Sequence, residues 1–306
     1  MIRVFVVGSP RAGTTIVQRA IAEHGNLFTH PETQFFMKMV GNIHPRTYSR
    51  NRFHEKFWAR QKYRTRQALR LSTPRDWTFL GFIPEIFNNR RVPMQKLANA
   101  FVQGFDRMAA EHNLAGWIEK TPEHLHYLDE IHRYVPDARI VHIIREGRDV
   151  IASRKDAAEV HGGHWDQFYS DLFWNVDRQN TDIARSAEYV DDDRHIFVDY
   201  DTFCNCTSAA LEVVLEHVGA TVSTPGAPKT APQRFNIAEE TEPWKAGAVD
   251  GAVEKSTSKW VQVFSEEERT TAEALLAPLP ERLAHKLKEF NQCVLALERL
   301  WSEKEK

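Results

Sequence analysis

The amino-terminal stretch constrains the fold of this chain more than any other. An apolar run, Ile2 to Val7, empties into Gly8-Ser-Pro-Arg-Ala-Gly13-Thr14-Thr15. A helical pattern follows, with Ile16, Val17, Ala20 and Ile21 on one face. A buried strand, a glycine loop and a helix in that order predict an α/β unit with the loop at a helix N-terminus. Backbone N–H groups in such a loop point at an anion. The glycines admit close approach, the helix end carries partial positive charge, and the hydroxyls of Ser9, Thr14 and Thr15 add donors, with Pro10 and Ala12 completing the loop. Taken alone, the same residues would also make a tight strand-to-helix turn with Arg11 in solvent.

The loop lacks the lysine of the common nucleoside-triphosphate cradle, G-x-x-x-x-G-K-[ST]. Thr14 stands after Gly13, and the loop's own cation is Arg11. The anion expected here is therefore not a magnesium-bound triphosphate. Residues Arg139 to Ser153, RIVHIIREGRDVIAS, repeat the strand–loop–helix pattern. Ile140, Val141, Ile143 and Ile144 predict a buried strand, with Arg145 at its carboxyl end and a helix starting near Gly147 that carries Ser153. Ligands of open α/β sheets sit at the carboxyl ends of the strands. Arg145 and Ser153 can grip a second phosphate there, the one by its planar fork and the other by its hydroxyl. Arg148 is an alternative grip, and surface pairing of Arg145 with Glu146 or Asp149 is the plainer reading.

These motifs resemble those of the sulfotransferases that use 3′-phosphoadenosine 5′-phosphosulfate. GSPRAGTT is similar to the family's 5′-phosphosulfate loop in a P-R-x-G-T-T variant, and Arg145 with Ser153 matches its 3′-phosphate pair in type and spacing. Phe197-Val-Asp-Tyr200-Asp-Thr-Phe203 resembles the family strand that ends in a tyrosine and an acid. Lys255-Ser256-Thr-Ser-Lys259-Trp260 resembles a late Ser-x-x-x-Trp segment bearing a serine and a cation toward the donor. The resemblance implies donor-binding roles for Ser9 to Thr15, Arg145, Ser153, Tyr200, Ser256 and Lys259, and no metal. It also implies transfer of a sulfuryl group to a hydroxyl acceptor, a small molecule, glycan or peptide, and release of 3′,5′-adenosine bisphosphate.

A hydroxyl must lose its proton as it attacks sulfur, so a base is needed. Glu32, in Thr29-His30-Pro31-Glu32-Thr33, matches in position the catalytic glutamate of the tyrosylprotein branch, and His30 is the alternative, as in the small-molecule branch. Negative charge growing on the leaving nucleotide calls for cations. Arg11 is one. Lys120 in Gly116-Trp-Ile-Glu-Lys-Thr-Pro122 is another, on a predicted strand followed by Thr121 at an N-cap and Pro122 at N1.

The 306 residues, 42% apolar and 27% charged, are enough for one sizeable core. No apolar run has membrane-spanning length and the first strand starts at Ile2, which leaves no room for a signal peptide and points to the cytoplasm. Three cysteines, Cys204, Cys206 and Cys293, fit a reducing compartment and make no metal site by themselves. Residues 46–75 hold ten Lys or Arg against Glu55, a local charge of +9, with Tyr48, Phe53, Phe57, Trp58 and Tyr63 interleaved. Such a run suits an acidic acceptor, a membrane surface or nucleic acid, or is the solvated face of a helix; nucleic acid is not the expected partner.

The predicted fold is a single P-loop-like α/β domain with a central parallel sheet flanked by helices. Strands are expected near residues 2–8, 116–120, 139–144 and 195–199. An inserted helical cap over about 40–112 forms the acceptor side, and C-terminal helices fill 266–306, broken at Pro278 and Pro280. Leu97, Phe101, Phe105 and Met108 predict a core-facing helix, and Trp165 to Tyr189 another. The competing functional readings are a nucleotide kinase or NTPase with Asp199 as its metal-binding acid, and a non-catalytic module that binds adenosine bisphosphate.

Overall fold

The computed structural model describes residues 1–40, 94–161, 166–221 and 259–304. Five parallel strands form the sheet: β1 (Ile2–Gly8), β2 (Leu27–Thr29), β3 (Gly116–Lys120), β4 (Arg139–Ile144) and β5 (His195–Asp199), in the order β2-β3-β1-β4-β5. Four of the strands lie where the apolar runs predict them. β2 is an additional edge strand of three residues, too short to show a period of two in the sequence.

Side chains alternate across the sheet, and both faces are covered, which is why β1 and β4 read as nearly continuous apolar runs. Phe5, Val7, Trp117, Ile140, Ile144 and Phe197 face one core. It is closed by helices α3 (Met94–Glu111) and α4 (Leu128–Tyr134) and by the first half of the C-terminal helix. Val4, Val6, Ile118, Val141, Ile143 and Val198 face the other core, under α1 (Thr14–His24) and α9 (Thr207–Val218). The stripe predicted on α3 is present: Leu97, Phe101 and Phe105 are buried, and Met108 packs at the rim.

The remaining helices are α2 (Phe35–Val40), α5 (Gly147–His161), α6 (Asp166–Tyr169), α7 (Leu172–Ala187), α8 (Tyr200–Asn205), α10 (Lys259–Val263), α11 (Glu266–Leu275) and α12 (Glu281–Lys304). The helix predicted from Trp165 to Tyr189 is two. Asp171 interrupts it by accepting the Trp174 N–H as the N-cap of α7. The break at Pro278 and Pro280 separates α11 from α12 as expected.

After β1 the chain runs toward the β2 edge, and after β4 toward the β5 edge. The crevice between the carboxyl ends of β1 and β4 is thus a topological switch point, where open α/β sheets hold ligands. Among the described residues no helix is long and apolar enough to cross a membrane.

Candidate active site

The loop after β1 opens straight onto α1, with Gly13 as its N-cap. Gly13 has φ +99°, and a Cβ there would sit 2.0 Å from the Tyr200 ring, so only glycine fits. Arg11 also adopts a left-handed φ, +74°, a strained conformation for a residue with a side chain. That turn directs Arg11 toward β4's helix, where its Nε donates to Ser153 Oγ at 3.4 Å. Burial lowers the pKa of Arg11 below its ordinary value and Arg145 adds to the lowering, while Tyr169, Asp156 and Glu32 oppose it. These groups therefore share one electrostatic neighbourhood. Thr14 is buried and Thr15 half-buried at the first turn of α1, whose leading N–H groups have no intrahelical acceptor.

Ser9 is turned the other way. Its hydroxyl lies 2.8 Å from Asp182 Oδ2 and 2.9 Å from Gln179 Oε1, both on α7, which ties the loop to that helix. Asp182 is a hub that sequence reading missed. It accepts from Arg178 Nε at 2.8 Å and from His126 Nε2 at 2.8 Å, and pairs with Arg154 Nη2 at 3.4 Å. Arg154 is fully buried and donates from Nε to the Pro10 carbonyl at 3.1 Å and from Nη1 to the Asn175 carbonyl at 3.2 Å. Burial alone would raise the Asp182 carboxyl, but Arg178, His126 and Arg154 hold it well below the usual carboxylate range. The loop backbone is thus tethered from behind at Ser9 and Pro10.

Across the crevice, the Arg145 guanidinium lies over the Tyr200 ring, 4.8 Å from its centroid, and its Nη2 pairs with Asp149 at 3.4 Å. Tyr200 is wedged between Arg145 and Gly13. Motifs from β1, β4 and β5 therefore meet through Arg11, Ser153, Tyr200 and Arg145. Arg148, the alternative grip, is engaged at the surface with Glu146 at 3.2 Å and Glu273 at 3.3 Å. Lys259 pairs with Asp156 of α5. Asp199, the metal-binding acid of the kinase reading, is committed to structure: Oδ1 accepts the Thr202 N–H at 2.9 Å and Oδ2 faces Asn291 at 3.4 Å.

At the end of β3, Lys120 is completely buried and forms an ion pair with Glu32. Sequence places the two 88 residues apart, and the fold brings them together. The segment carrying Glu32 is clamped by Glu119, a fully buried carboxylate. Glu119 Oε1 accepts from Thr33 N at 3.2 Å, Thr33 Oγ1 at 2.7 Å and Thr121 Oγ1 at 2.7 Å, and Oε2 accepts from His124 Nδ1 at 2.8 Å. His124 Nε2 accepts the Phe36 N–H at 3.2 Å, which assigns its proton to Nδ1. Thr121 Oγ1 accepts from Gln34 N at 3.0 Å. Burial would raise Glu119, but the His124 ring and the hydrogen bonds from His124, Thr121 and Thr33 hold its pKa below the usual range. The helix predicted after Lys120 is a 3₁₀ segment, Pro122–Tyr127. Thr121 occupies the N-cap position without capping: its hydroxyl oxygen accepts the Gln34 N–H and its proton goes to Glu119. Glu123, on that segment, has its carboxyl pushed up by burial and by the charge of Glu32. His30, the other candidate base, donates from Nδ1 to the Pro31 carbonyl at 2.9 Å and meets Phe105 edge-on.

Ser256, the basic run 46–75 and most of the acceptor-side segments lie outside the described residues. No curated protein sequence matches the chain. Among solved structures, the sulfotransferase domain of the Synechococcus PCC 7002 olefin synthase is similar at TM-score 0.51 and 18% identity, with 94% of each chain covered. A sulfotransferase from Alicyclobacillus acidocaldarius is similar at TM-score 0.50 and 13% identity, with 94% of this chain and 96% of that one covered. Such likenesses speak for the fold. A model of the sulfotransferase family matches residues 3–224, most of the sheet and both phosphate-type motifs included, and the chain belongs to that family.

Proposed function

We propose that this protein transfers the sulfuryl group of 3′-phosphoadenosine 5′-phosphosulfate to a hydroxyl acceptor. The observation that carries the reading is the convergence of Arg11, Ser153, Tyr200 and Arg145 in the crevice between β1 and β4. A nucleotide with anionic groups at both its 5′ and 3′ positions matches two separated cationic grips, one at the Arg11 loop and one at Arg145. The residues fit that donor in another way. The loop has no lysine for a magnesium-bound triphosphate, and Asp199 is used as a helix cap.

Glu32 is the proposed base. It takes the proton of the acceptor hydroxyl as the new S–O bond forms and the bond from sulfur to the bridging oxygen of the donor breaks. Lys120 both orients Glu32 and, with Arg11, supplies positive charge for the departing bisphosphate, each such contact being worth ~2–4 kcal/mol of barrier. Glu119, Thr33, Thr121 and His124 hold the Glu32 segment in place, and Asp182 and Arg154 hold the loop. His30, whose Nδ1 donates to the Pro31 carbonyl and leaves Nε2 as the basic nitrogen, is the alternative base.

Calorimetry with 3′,5′-adenosine bisphosphate and Mg-ATP side by side tests the donor. The bisphosphate should bind without magnesium and raise Tm by linkage. Tight Mg-ATP binding with no effect of the bisphosphate would refute the reading.

A further inference from the structure

Three imidazoles form a chain at the amino end of β5, away from the carboxyl ends of the strands where the donor crevice lies. Ser186 Oγ lies 3.2 Å from His142 Nδ1, His142 Nε2 lies 2.7 Å from His195 Nδ1, and His195 Nε2 lies 2.8 Å from His132 Nε2. Each of these contacts holds one proton. Of the two directions in which such a chain can run, one has His142 donating to Ser186 and accepting from His195. In that direction His195 Nε2 is a bare lone pair aimed at His132. The proton it shares with His132 is then the one a cation can replace without disturbing the rest.

A carboxylate stands at the same point. Asp192 Oδ2 is 3.9 Å from His195 Nε2, and one ligand atom from each of His132, Asp192 and His195 lies within 4.8 Å of the others. Arg194 grips both oxygens of Asp192, Nε 2.9 Å from Oδ1 and Nη2 2.5 Å from Oδ2, and fixes the carboxylate's position, so an ion would share Oδ2 with the guanidinium. The Tyr189 ring stacks on His195 at 4.8 Å and 4° and meets His132 edge-on, so both imidazoles are held in orientation.

We infer that His132, His195 and Asp192 form a site for a divalent transition-metal ion, with Zn²⁺ the best match, bound by two Nε2 atoms and one carboxylate oxygen. Two imidazoles and a carboxylate are a donor set suited to zinc. His142, bonded behind His195, is the kind of second partner that fixes a ligand's tautomer. Tetrahedral ligands on zinc stand roughly 3.3 Å apart, so the 2.8 Å contact must open and the 3.9 Å one close by small rotations. His132 and Asp192 are only half-buried, which leaves an entry path and one open coordination position. The ion would tie α4, through His132, to the start of β5.

The test uses the full chain, treated with chelator, dialysed and titrated with ZnCl₂ by calorimetry, with thermal unfolding and the visible absorption of Co²⁺ as parallel readouts. The expected result is about one equivalent bound at micromolar concentration or tighter, a raised Tm and a tetrahedral Co²⁺ spectrum. H132Q, at a half-exposed helix position, should keep the metal-free Tm and weaken binding at least about tenfold, as should D192N as a second variant. H285Q, in an exposed pair with Glu289 elsewhere, should bind as wild type. No saturable binding below about 100 µM, or binding left unchanged by both H132Q and D192N, would overturn the inference.

Discussion

Replacing Glu119 by Gln probes the link between the fold and the proposed base, because it changes one atom in a fully buried site. Three donors, Thr33 N, Thr33 Oγ1 and Thr121 Oγ1, converge on Oε1, and an amide oxygen can still accept all three. Each bond then falls from the charged class, ~1.5–3 kcal/mol, to the neutral class, ~0.5–1.5 kcal/mol. The new NH₂ must face His124 Nδ1–H, donor against donor. The ring cannot escape by moving its proton, because its Nε2 accepts the Phe36 N–H. The stranded donor costs ~1–3 kcal/mol more. Relief of the buried charge offsets part of the sum, leaving a net loss of about 2–4 kcal/mol. For a chain of this size that is a Tm drop of roughly 5–12 °C. Thr33 and Gln34 carry Glu32, so kcat should fall about tenfold or more while donor KM, set at β1, β4 and β5, stays put. Scanning calorimetry and steady-state kinetics with saturating donor measure both. A variant with wild-type Tm and wild-type kcat would show that the Glu119 clamp neither stabilises the fold nor positions the base.

Glu32→Gln should cut turnover by ~10²–10⁴ with donor affinity nearly intact, since the proton leaves only in the transition state; the same loss from His30→Ala instead would move the base to His30. Arg145→Ala should weaken 3′,5′-adenosine bisphosphate far more than adenosine 5′-monophosphate, and equal losses in titration calorimetry would mean that Arg145 holds something other than a 3′ phosphate. Asp182→Asn removes the charge that compensates buried Arg154 and Arg178 and should cost ~3–5 kcal/mol. Folding lowers the Asp182 pKa, so its contribution is present above ~pH 5 and lost as pH falls below about 4 toward the folded value; the variant's stability curve should be flatter on that acid limb, and unfolding titrations from pH 3 to 7 would reveal a parallel curve if the reasoning is wrong.

The sheet and the anion loop were legible because their signals are local. β1 and β4 are runs of apolar residues covered on both faces, β5 holds a shorter one and β3 is read from Trp117 and Ile118 between a glycine and Pro122, and the loop announces itself by glycines placed between strand and helix. β2 escaped, since three residues carry no period. The candidate site was legible only in its front row. Arg11, Glu32, Lys120, Arg145 and Ser153 belong to motifs that lie together in sequence. Glu119 and Asp182 belong to none, and look like ordinary strand and helix acids. What marks them is burial and the number of donors aimed at them, which depend on contacts as far apart as Ser9 and Asp182. The partners of the Ser9 hydroxyl, Gln179 and Asp182, are likewise invisible in the loop motif itself.

Two carboxylates, Asp182 and Glu32, also explain how a site built on a loop without lysine can carry so much positive charge. Arg11, Arg145, Arg154 and Lys120 converge on or behind one crevice, and four cations so placed would repel one another and disfavour the empty fold. Only part of that charge is left for a ligand. Arg154 is neutralised by Asp182 behind the loop, and Lys120 by Glu32 at its side. The remaining two face weaker partners among the described residues: Arg11 Nε donates to the Ser153 hydroxyl at 3.4 Å, and Arg145 lies over the Tyr200 ring and pairs with Asp149 at 3.4 Å. A charge held against a hydroxyl or a ring gains more from an arriving phosphate than Lys120, which is already in direct contact with the Glu32 carboxylate. Donor affinity should therefore rest on Arg11 and Arg145, whereas Arg154 and Lys120 act through the shape of the loop and the state of Glu32. Neutralising Lys120 as Lys120→Met should accordingly reduce kcat more than donor affinity, and a loss confined to donor affinity would move Lys120 into the nucleotide-binding set.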